Sequence, residues 1–263
     1  MKIHNGLSIW RRVARGIGGR LFHWAENNGV ADVCRNGEAW LVREVMRNHL
    51  AHGDARPLVI VDGGANAGDY TAMLLNAAAE IRCPIEVHAF EPSVKAQGWL
   101  QNRFKGSPAV RLVGKAMGDH IGEGVLLGQD GSSLASLVER PSIGTGVGHA
   151  ASVSVTTLEA YLAEAGVGCV GLLKLDVEGY ELLALRGLGK ALTPGRVKLI
   201  QFEYGGTTLD AGVTLREIHQ LLEERGYRVG KLLPRGIVLR DYAPWMEHFN
   251  YANYVAVAPG ETE

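Results

Sequence analysis

The stretch VIVDGGANAGDY, residues 59–70, decides the fold class. β-prone residues lead into Asp62, three glycines fall within the next six positions, and a helix-like pattern follows. A strand, turn and helix in this order place the turn at the carboxyl end of a buried strand, where open α/β sheets bind their ligands. Glycines let the backbone approach a ligand closely, and the next helix presents free N–H groups. The turn therefore indicates a nucleotide-like ligand.

Strands and helices alternate along the rest of the chain. Hydrophobic periodicity predicts strands at 58–61, 85–90, 110–116, 124–127, 153–155, 171–176, 197–203, 227–233 and 251–258. Helices are predicted at 38–52, 71–79, 93–104 and 178–186, with further helices opened by capping boxes at Thr156 with Glu159 and at Thr214 with Glu217. Such alternation implies right-handed crossovers and a parallel sheet. The short link between the last two strands favours an antiparallel hairpin at one sheet edge.

Three segments define the expected domain organisation. Residues 1–56 are predicted to be an N-terminal helical extension and 57–263 one α/β domain, in which the Gly- and Ser-rich region 118–152 is an insertion or lid. Trp10 and Ile17 belong to an apolar, near-helical pattern interleaved with arginines. We favour a helix that packs on the domain or on a partner in a homodimer; the alternative is a helix that binds a membrane surface.

Composition excludes several classes of protein. The 263 residues carry 27 basic and 28 acidic side chains, so nothing in the net charge of −1 favours a nucleic-acid partner. Cys34, Cys83 and Cys169 are too few and too far apart to predict a disulfide framework or a zinc site, which favours a reducing, cytoplasmic setting. No apolar run is long enough to cross a bilayer, and no signal-peptide core is present.

The residues around the turn narrow the ligand. A Walker loop needs Lys and Ser or Thr at fixed places that this turn does not fill, and a dinucleotide fingerprint needs glycine where Ala65 stands. Glu91 follows the second strand, where a carboxylate binds both hydroxyls of a ribose, and Asp62 could meet a cationic amino group. An adenine nucleoside with an ammonium group describes S-adenosylmethionine. Two alternatives remain open: the turn is purely structural, or the protein is a nicotinamide-dependent oxidoreductase.

Four segments together resemble the FkbM family of S-adenosylmethionine-dependent methyltransferases. They are VDGGANAGDYT, HAFEPS, LLKLDVEGYELLALRG and LIQFEY, whose order and spacing match over residues 58–203. Gly63 departs from the family's commoner valine. The resemblance implies a class I methyltransferase fold, with a mostly parallel seven-stranded sheet, an antiparallel edge strand and helices on both faces. It also implies O-methylation of a hydroxyl on a glycan or secondary metabolite.

The resemblance also implies which residues bind the cofactor. The methionine side would lie against the turn, Glu91 would hold the ribose, and adenine would lie against residues after the second and third strands. The implied cofactor residues are Asp62, Gly63, Gly64, Asn66, Gly68, Glu91, Pro92, Ser93, Ala116, Met117 and Asp176.

The segment LLKLDVEGYE, residues 172–181, carries the candidate catalytic groups. Strand alternation puts Lys174 and Asp176 on one side, and a lysine in an apolar strand needs a carboxylate partner, for which Asp176, Glu178 and Glu203 are the candidates. Methyl transfer to a hydroxyl needs a group that positions the acceptor oxygen and removes its proton, and any of these four residues could serve. Alternatively, Asp176 and Glu203 could bind Mg²⁺, which would acidify the hydroxyl.

The acceptor is expected to meet the 118–152 insertion and the aromatic segment DYAPWMEHFNY, residues 241–251. His88 is predicted to be a hydrogen-bonded core residue. His149 and His248 could reach an acceptor, although an ordinary surface histidine is the favoured interpretation of each. A cofactor-binding partner subunit without catalysis remains a further alternative.

Overall fold

The computed structural model describes residues 8–54, 56–141 and 150–261. His149 lies outside these residues, so the hypothesis about its role stays a prediction. The strands are β1 (Leu58–Gly63), β2 (Ile85–Phe90), β3 (Val110–Val113), β4 (Ala116–Met117), β5 (Gly122–Leu127), β6 (Ala150–Thr156), β7 (Val170–Leu175), β8 (Val197–Tyr204), β9 (Arg228–Leu233), β10 (Gly236–Leu239) and β11 (Ala252–Val257). The helices are α1 (Ile9–Ala25), α2 (Glu38–Ala51), α3 (Asp69–Ile81), α4 (Val94–Arg103), α5 (Leu158–Glu164), α6 (Glu181–Arg186), α7 (Gly206–Asp210) and α8 (Leu215–Glu224).

The central sheet has eight strands in the order β3-β2-β1-β7-β8-β11-β9-β10. Strands β3, β2, β1, β7 and β8 pair in parallel, whereas β11 runs antiparallel to both β8 and β9. This order, with β11 reversed between β8 and β9, is the class I methyltransferase fold, which confirms the predicted class.

The strand count differs from the expected seven because the sequence prediction missed β10. Residues 234 and 235 form a two-residue turn, after which β10 pairs antiparallel with β9. The predicted strands at 227–233 and 251–258 do pair antiparallel, but β11 lies inside the sheet and β10 forms its edge. The link between them is thus partly a strand of the sheet.

Helices cover both faces of the sheet, as predicted. All six residues of β7 are buried, which follows from apolar layers on either side. One core joins α5, α6 and α8 to the sheet through Leu162, Leu185 and Leu222. The other joins α2 and α3 to the opposite face, for example through Met46 and Leu74.

Two helix starts differ from the predictions. Thr156 is the last residue of β6, and Thr157 instead caps α5 by accepting the N–H of Ala160; Glu159 accepts the N–H of Lys190 and forms no capping box. The helix predicted from 178 begins at Glu181. Glu178 has a φ of 54°, outside the helical region. The capping box of Thr214 and Glu217 is present at the start of α8.

The region 118–152 contributes to a second, three-stranded sheet in the order β4-β6-β5. The predicted third strand, 110–116, is divided: β3 ends at Val113, and Ala116 and Met117 pair with β6 in the second sheet. Its small core contains Leu126, Val153 and Val155.

The N-terminal helix α1 contains no buried residue. It joins the body at its last turns, where the Phe22 ring contacts the rings of Trp245 and His248 edge to face. Only the carboxyl-terminal end of α1 therefore packs on the domain, whereas the favoured expectation was that the helix as a whole would do so. In the described part of the chain, no helix has both the length and the apolar character needed to cross a membrane.

Candidate active site

The glycine turn after β1 lies directly against the end of β7. Gly64 has a φ of 82°, and a Cβ placed on it would stand 1.9 Å from the carbonyl oxygen of Asp176. A Cβ on Gly63 would lie 2.8 Å from Met117 Cε and 2.9 Å from the Lys174 carbonyl oxygen. Gly64 is therefore required by its backbone conformation and by the Asp176 main chain. At Gly63 the Lys174 carbonyl oxygen favours glycine, whereas the Met117 methyl is the end of a flexible side chain.

Gly68 begins α3 with a φ of 84°, and a Cβ there would strike Phe104 and Leu100 of the neighbouring α4 region. Gly68 thus lets α3 start close to α4, and it does not line the cavity beside the turn. Asn66 has a φ of 44° and does line that cavity.

Glu91 follows β2 and is tied to the turn. Its Oε2 accepts the Asn66 N–H at 2.8 Å, and its Oε1 accepts the Ser93 N–H at 2.8 Å. Burial raises the pKa of Glu91, and these two N–H groups oppose the increase. A carboxylate oxygen has two lone pairs, so each oxygen can accept one further hydrogen bond from a ligand in the cavity.

Asp62 lies behind the turn and away from the cavity. It shares a face of β1 with Ile60, the face that packs on α3, and its Oδ2 accepts the Thr71 hydroxyl at 2.6 Å. Burial raises its pKa, an effect opposed by Lys174, whose Nζ is 3.9 Å from Oδ1. The structure thus gives Asp62 a protein cation as its neighbour, where the sequence suggested a ligand's amino group.

Lys174 is buried between two carboxylates. Its Nζ is 2.9 Å from Asp176 Oδ2 and lies 4.7 Å from the centre of the Tyr70 ring. Burial alone would lower the pKa of Lys174, but Asp176 and Asp62 outweigh it and raise that pKa well above its usual value. Asp176 is therefore the expected carboxylate partner, and Asp62 is a second one that the sequence prediction omitted.

Asp176 and Glu203 form a carboxylate pair with opposite pKa shifts. Burial would raise the pKa of Asp176, but Lys174 and a hydrogen bond with Glu203 lower it. Burial and the nearby Asp176 raise the pKa of Glu203 well above its usual value. These opposite shifts make Asp176 the more acidic member of the hydrogen-bonded pair.

Glu178 stands in the loop after β7, where the insertion contacts the central domain. Arg140 Nη1 lies 2.7 Å from Glu178 Oε2, and the Ser136 hydroxyl donates to the Glu178 carbonyl oxygen at 2.6 Å. Burial and the charge of Asp176 raise the pKa of Glu178 to about 7, although Arg140 opposes the increase. Glu178 is thus a carboxylate that changes protonation near neutral pH.

Glu181, which sequence reasoning missed, holds the same loop. Its Oε1 accepts the N–H groups of Val177 and Gly179 at 3.0 and 3.3 Å. Burial raises its pKa to about 7. The sequence feature that could have indicated Glu181 is its position at the end of VEGYE, about one turn after the end of a predicted strand.

A cavity at the carboxyl ends of β1, β2 and β7 collects most of the predicted residues. Those that line it are Gly64, Asn66, Glu91, Pro92, Ala116, Met117, Asp176 and Glu178. The predicted residues outside its lining are Asp62, Gly63, Gly68, Ser93, Lys174 and Glu203. Ser93 caps α4 and donates its N–H to Glu91, so it contacts a lining residue.

The insertion supplies much of the remaining wall. Its lining residues are Leu126, Ser132, Ser133, Ala135, Ser136 and Leu137, and other parts of the chain add Phe90, Lys115, Val177 and Tyr180. The Gly- and Ser-rich composition pointed to the segment, but no periodic pattern indicated which of its side chains face inward.

The predicted metal alternative has no support in the geometry. Within residues 8–54, 56–141 and 150–261, no group of three or more His, Cys, Asp or Glu side chains is arranged to hold a metal ion. The proposed ligands Asp176 and Glu203 are instead hydrogen-bonded to each other, and Asp176 is paired with Lys174.

His88 and His248 do not line this cavity. His88 is fully buried and its Nδ1 is 2.6 Å from the Tyr161 hydroxyl, as expected of a core residue. His248 packs against the rings of Phe22 and Tyr204, and burial lowers its pKa to about 4. Its ring is part of an aromatic cluster, not an ordinary surface group.

The cavity fits S-adenosylmethionine. Gly64 lines the cavity without a side chain, and the Glu91 carboxylate presents acceptors suited to ribose hydroxyls. Phe90, Ala116 and Met117 provide an apolar surface for a purine. With the sheet order described above, these features define a class I S-adenosylmethionine-dependent methyltransferase.

The chain belongs to the FkbM family of methyltransferases. The family model described as "Methyltransferase FkbM domain" matches residues 62–229. The 31-O-demethyl-FK506 methyltransferase FkbM of Streptomyces tacrolimicus is 30% identical over 232 residues, covering 76% of this chain and 85% of the relative.

Two solved structures are similar at lower identity. Methyltransferase FkbM from Methylobacillus flagellatus KT is 15% identical with a TM-score of 0.47, covering 92% of this chain and 60% of that one. Precorrin-6y C5,15-methyltransferase from Geobacter metallireducens GS-15 is 14% identical with a TM-score of 0.42, covering 84% of this chain and 87% of that one. The family assignment rests on the family model and the Streptomyces relative.

Proposed function

We propose that this methyltransferase transfers the methyl group to a hydroxyl oxygen of a glycan or secondary metabolite. The observation that carries the proposal is the Asp176 carboxylate, which lines the cavity and is held between Lys174 and Glu203. The name of the 30% identical relative, 31-O-demethyl-FK506 methyltransferase, supports oxygen as the acceptor atom.

Asp176 acts by positioning the acceptor. Its lowered pKa makes it a weak base, but an ionised carboxylate accepts a strong hydrogen bond from a hydroxyl group. Lys174 and Glu203 fix its orientation, so the acceptor oxygen is held in one place relative to the cofactor. Positioning of this kind supplies much of the rate acceleration in an in-line displacement.

Glu178 acts as the general base. It lines the same cavity, and a pKa of about 7 matches the protonation state and basicity needed near neutral pH. Arg140 stabilises its ionised form through the 2.7 Å contact. Because Arg140 belongs to the insertion, the insertion takes part in setting the strength of the base.

Four residues would hold the cofactor. Glu91 would accept the ribose hydroxyls, Gly64 and Asn66 would line the methionine side, and Met117 would contact adenine. S-adenosylmethionine, when bound, supplies the methyl group on a positively charged sulfur. The enclosed wall formed by the insertion would exclude water from that group.

The insertion also suits an acceptor that carries several hydroxyl groups. Ser132, Ser133 and Ser136 line the same cavity as Asp176 and Glu178, and hydroxyl side chains can both donate to and accept from such an acceptor. A cytoplasmic location stays a prediction.

The experiment is transfer of labelled methyl from S-adenosylmethionine to a panel of glycans and polyhydroxylated natural products. We expect a product methylated on oxygen, identified by nuclear magnetic resonance. Asp176→Asn should bind S-adenosylhomocysteine normally and lose most turnover, whereas Asp119→Asn, an exposed aspartate outside the cavity, should remain active. Full activity of Asp176→Asn would remove this residue from the chemistry.

Two other outcomes separate the alternatives. Methylation of nitrogen or carbon would contradict the O-methyltransferase proposal. Tight binding of S-adenosylhomocysteine with no methylated product from any acceptor would favour a cofactor-binding partner subunit. Calorimetry with NAD in parallel should show no binding, because Ala65 replaces the glycine that a pyrophosphate needs.

A further inference from the structure

The N-terminal helix α1 exposes its whole apolar face. Ile9, Trp10, Val13, Ile17, Leu21 and Trp24 recur at helical spacing and form one strip along the helix, here called the apolar stripe. Each is exposed, with Trp10 at 79% and Trp24 at 82%. Apolar surface of this extent on one helix marks an interaction site.

The body of the protein does not cover the apolar stripe. Within α1 only Gly19, Phe22 and His23 are half-buried, and the Phe22 ring is the one that contacts Trp245 and His248. These three residues lie on the other side of the helix from Ile17. The side that faces the body is therefore different from the stripe, which faces outward.

The attachment of α1 fixes this orientation. Just after the helix, Glu26 forms a two-hydrogen-bond ion pair with Arg240, and Asn28 Oδ1 accepts from buried Lys231 at 2.6 Å. Together with the Phe22 contacts, these bonds hold the carboxyl end of α1 on the β9 and β10 edge of the sheet. The outward direction of the stripe is thus a property of the fold.

The charges on α1 identify the partner. Arg11, Arg12 and Arg15 lie on the side away from the stripe, Arg20 lies at its border, and no acidic residue occurs within Ile9–Ala25. A second copy of α1 would cover the stripe but would supply no carboxylate to pair with the arginines of either copy. A bilayer with anionic headgroups satisfies both the apolar stripe and the arginines.

Two further features fit a bilayer surface. Tryptophan is favoured at the boundary between headgroups and acyl chains, and Trp10 and Trp24 stand near the two ends of the stripe. Gly16, Gly18 and Gly19 have no atom within 4 Å of the place where a Cβ would lie, so packing within the chain does not require them. Since glycines weaken a helix in water, α1 gains most from a surface that orders it.

We propose that α1 docks this protein on the surface of an anionic lipid bilayer, with the apolar stripe inserted at the headgroup boundary and the arginines paired with lipid phosphates. The helix lies in the membrane plane. It joins the body beside His248, whose ring contacts Tyr204 at the carboxyl end of β8. The active site lies at the carboxyl ends of the neighbouring parallel strands. This inference is independent of the methyl acceptor.

The test is flotation of the full-length protein with vesicles of phosphatidylcholine, with and without phosphatidylglycerol. We expect binding only to the anionic vesicles, a blue shift in tryptophan fluorescence on binding, and weaker binding as salt is raised. Ile17→Asp should lower the affinity at least about tenfold, since it removes one buried aliphatic side chain and adds a charge. Ile121→Asp, the same change at another exposed isoleucine outside α1, should bind as the unmodified protein does.

Arg11→Glu with Arg15→Glu should likewise weaken vesicle binding, while circular dichroism and thermal unfolding of all variants stay unchanged because these residues are exposed. Failure of the unmodified protein to float with anionic vesicles would overturn the proposal. So would equal binding by Ile17→Asp. A dimer in sedimentation velocity that Ile17→Asp dissociates, without vesicle binding, would assign the stripe to a second copy of the chain instead.

Discussion

Gly64 approaches the main chain of Asp176 so closely that a Cβ on Gly64 would stand 1.9 Å from the Asp176 carbonyl oxygen. This contact joins the cofactor side of the cavity to the acceptor side, because Gly64 belongs to the turn after β1 and Asp176 to the end of β7. The two halves of the site cannot move apart without opening the sheet between them.

Gly64→Ala is therefore expected to destabilise the fold and to prevent cofactor binding. The left-handed backbone alone costs about 1–2 kcal/mol for a residue with a Cβ, and the clash adds to that cost. Gly98→Ala is the matched control, since Gly98 lies in α4 with nothing within 4 Å of its Cβ position. Urea unfolding should show a lower midpoint for Gly64→Ala and an equal or higher midpoint for Gly98→Ala. Equal midpoints for both variants would contradict the packing argument.

Glu91→Ala should weaken binding of S-adenosylhomocysteine by about 1.5–3 kcal/mol, the range for hydrogen bonds to a charged group. The structure adds that the variant also leaves the Asn66 and Ser93 N–H groups without their acceptor. Ser93→Ala is the control, because it keeps the backbone N–H that bonds Glu91. Calorimetry on both folded variants checks the role, which unchanged affinity in Glu91→Ala would reject.

Lys174→Met should destabilise the protein by about 3–5 kcal/mol, because it leaves a buried carboxylate without its cation. The side chain of Lys174 is 6% exposed, and it contacts both Asp176 and Asp62. Lys198→Met offers the comparison, since the Lys198 pair with Glu261 is partly exposed and should contribute about 0–1 kcal/mol. Similar losses of unfolding free energy in the two variants would argue against a special role for the buried lysine.

The rate of methyl transfer should rise as pH increases through about 7, where Glu178 loses its proton and becomes able to act as a base. Glu178→Gln should abolish that rise, whereas Glu164→Gln, an exposed glutamate on α5, should retain it. Arg140 lowers the pKa of Glu178, so Arg140→Gln should move the rise to higher pH. A profile of kcat against pH measures all three, and an unchanged profile in Glu178→Gln would exclude it as the base.

Much of the fold followed from the sequence because the alternation of strands and helices is strong. The prediction and the structure differ where a local sequence pattern fits two kinds of secondary structure. Thr156 and Thr157 are both suitable caps, and only the pairing of β6 assigns Thr156 to the strand. The strand β10 was missed because Gly236–Leu239 is short and follows turn residues.

Most residues of the candidate site could be predicted from the sequence, but the directions in which their side chains point could not. Asp62 was expected to face the ligand because it ends a strand. It lies two residues after Ile60, however, so its side chain points to the same face of β1 as Ile60, the face that packs on α3. Glu178 was expected inside a helix, and its positive φ depends on a loop held by Glu181. The side chains of the insertion have no such periodicity and required the structure.

The buried side chain of Glu38, at the start of α2, limits how far the chain can be shortened from its N-terminus. Glu38 accepts a hydrogen bond from Gln201 Nε2 at 2.6 Å, and Gln201 lies on β8 two residues before Glu203. Gln201 also accepts from Tyr70, whose ring faces Lys174. A truncated protein that begins at residue 57 would retain the whole glycine turn and the KLDVEG segment, but it would lack one member of this polar chain. We therefore expect truncation to be tolerated only upstream of Glu26, because Glu26 and Asn28 bond Arg240 and buried Lys231, and Asn36 bonds Glu38.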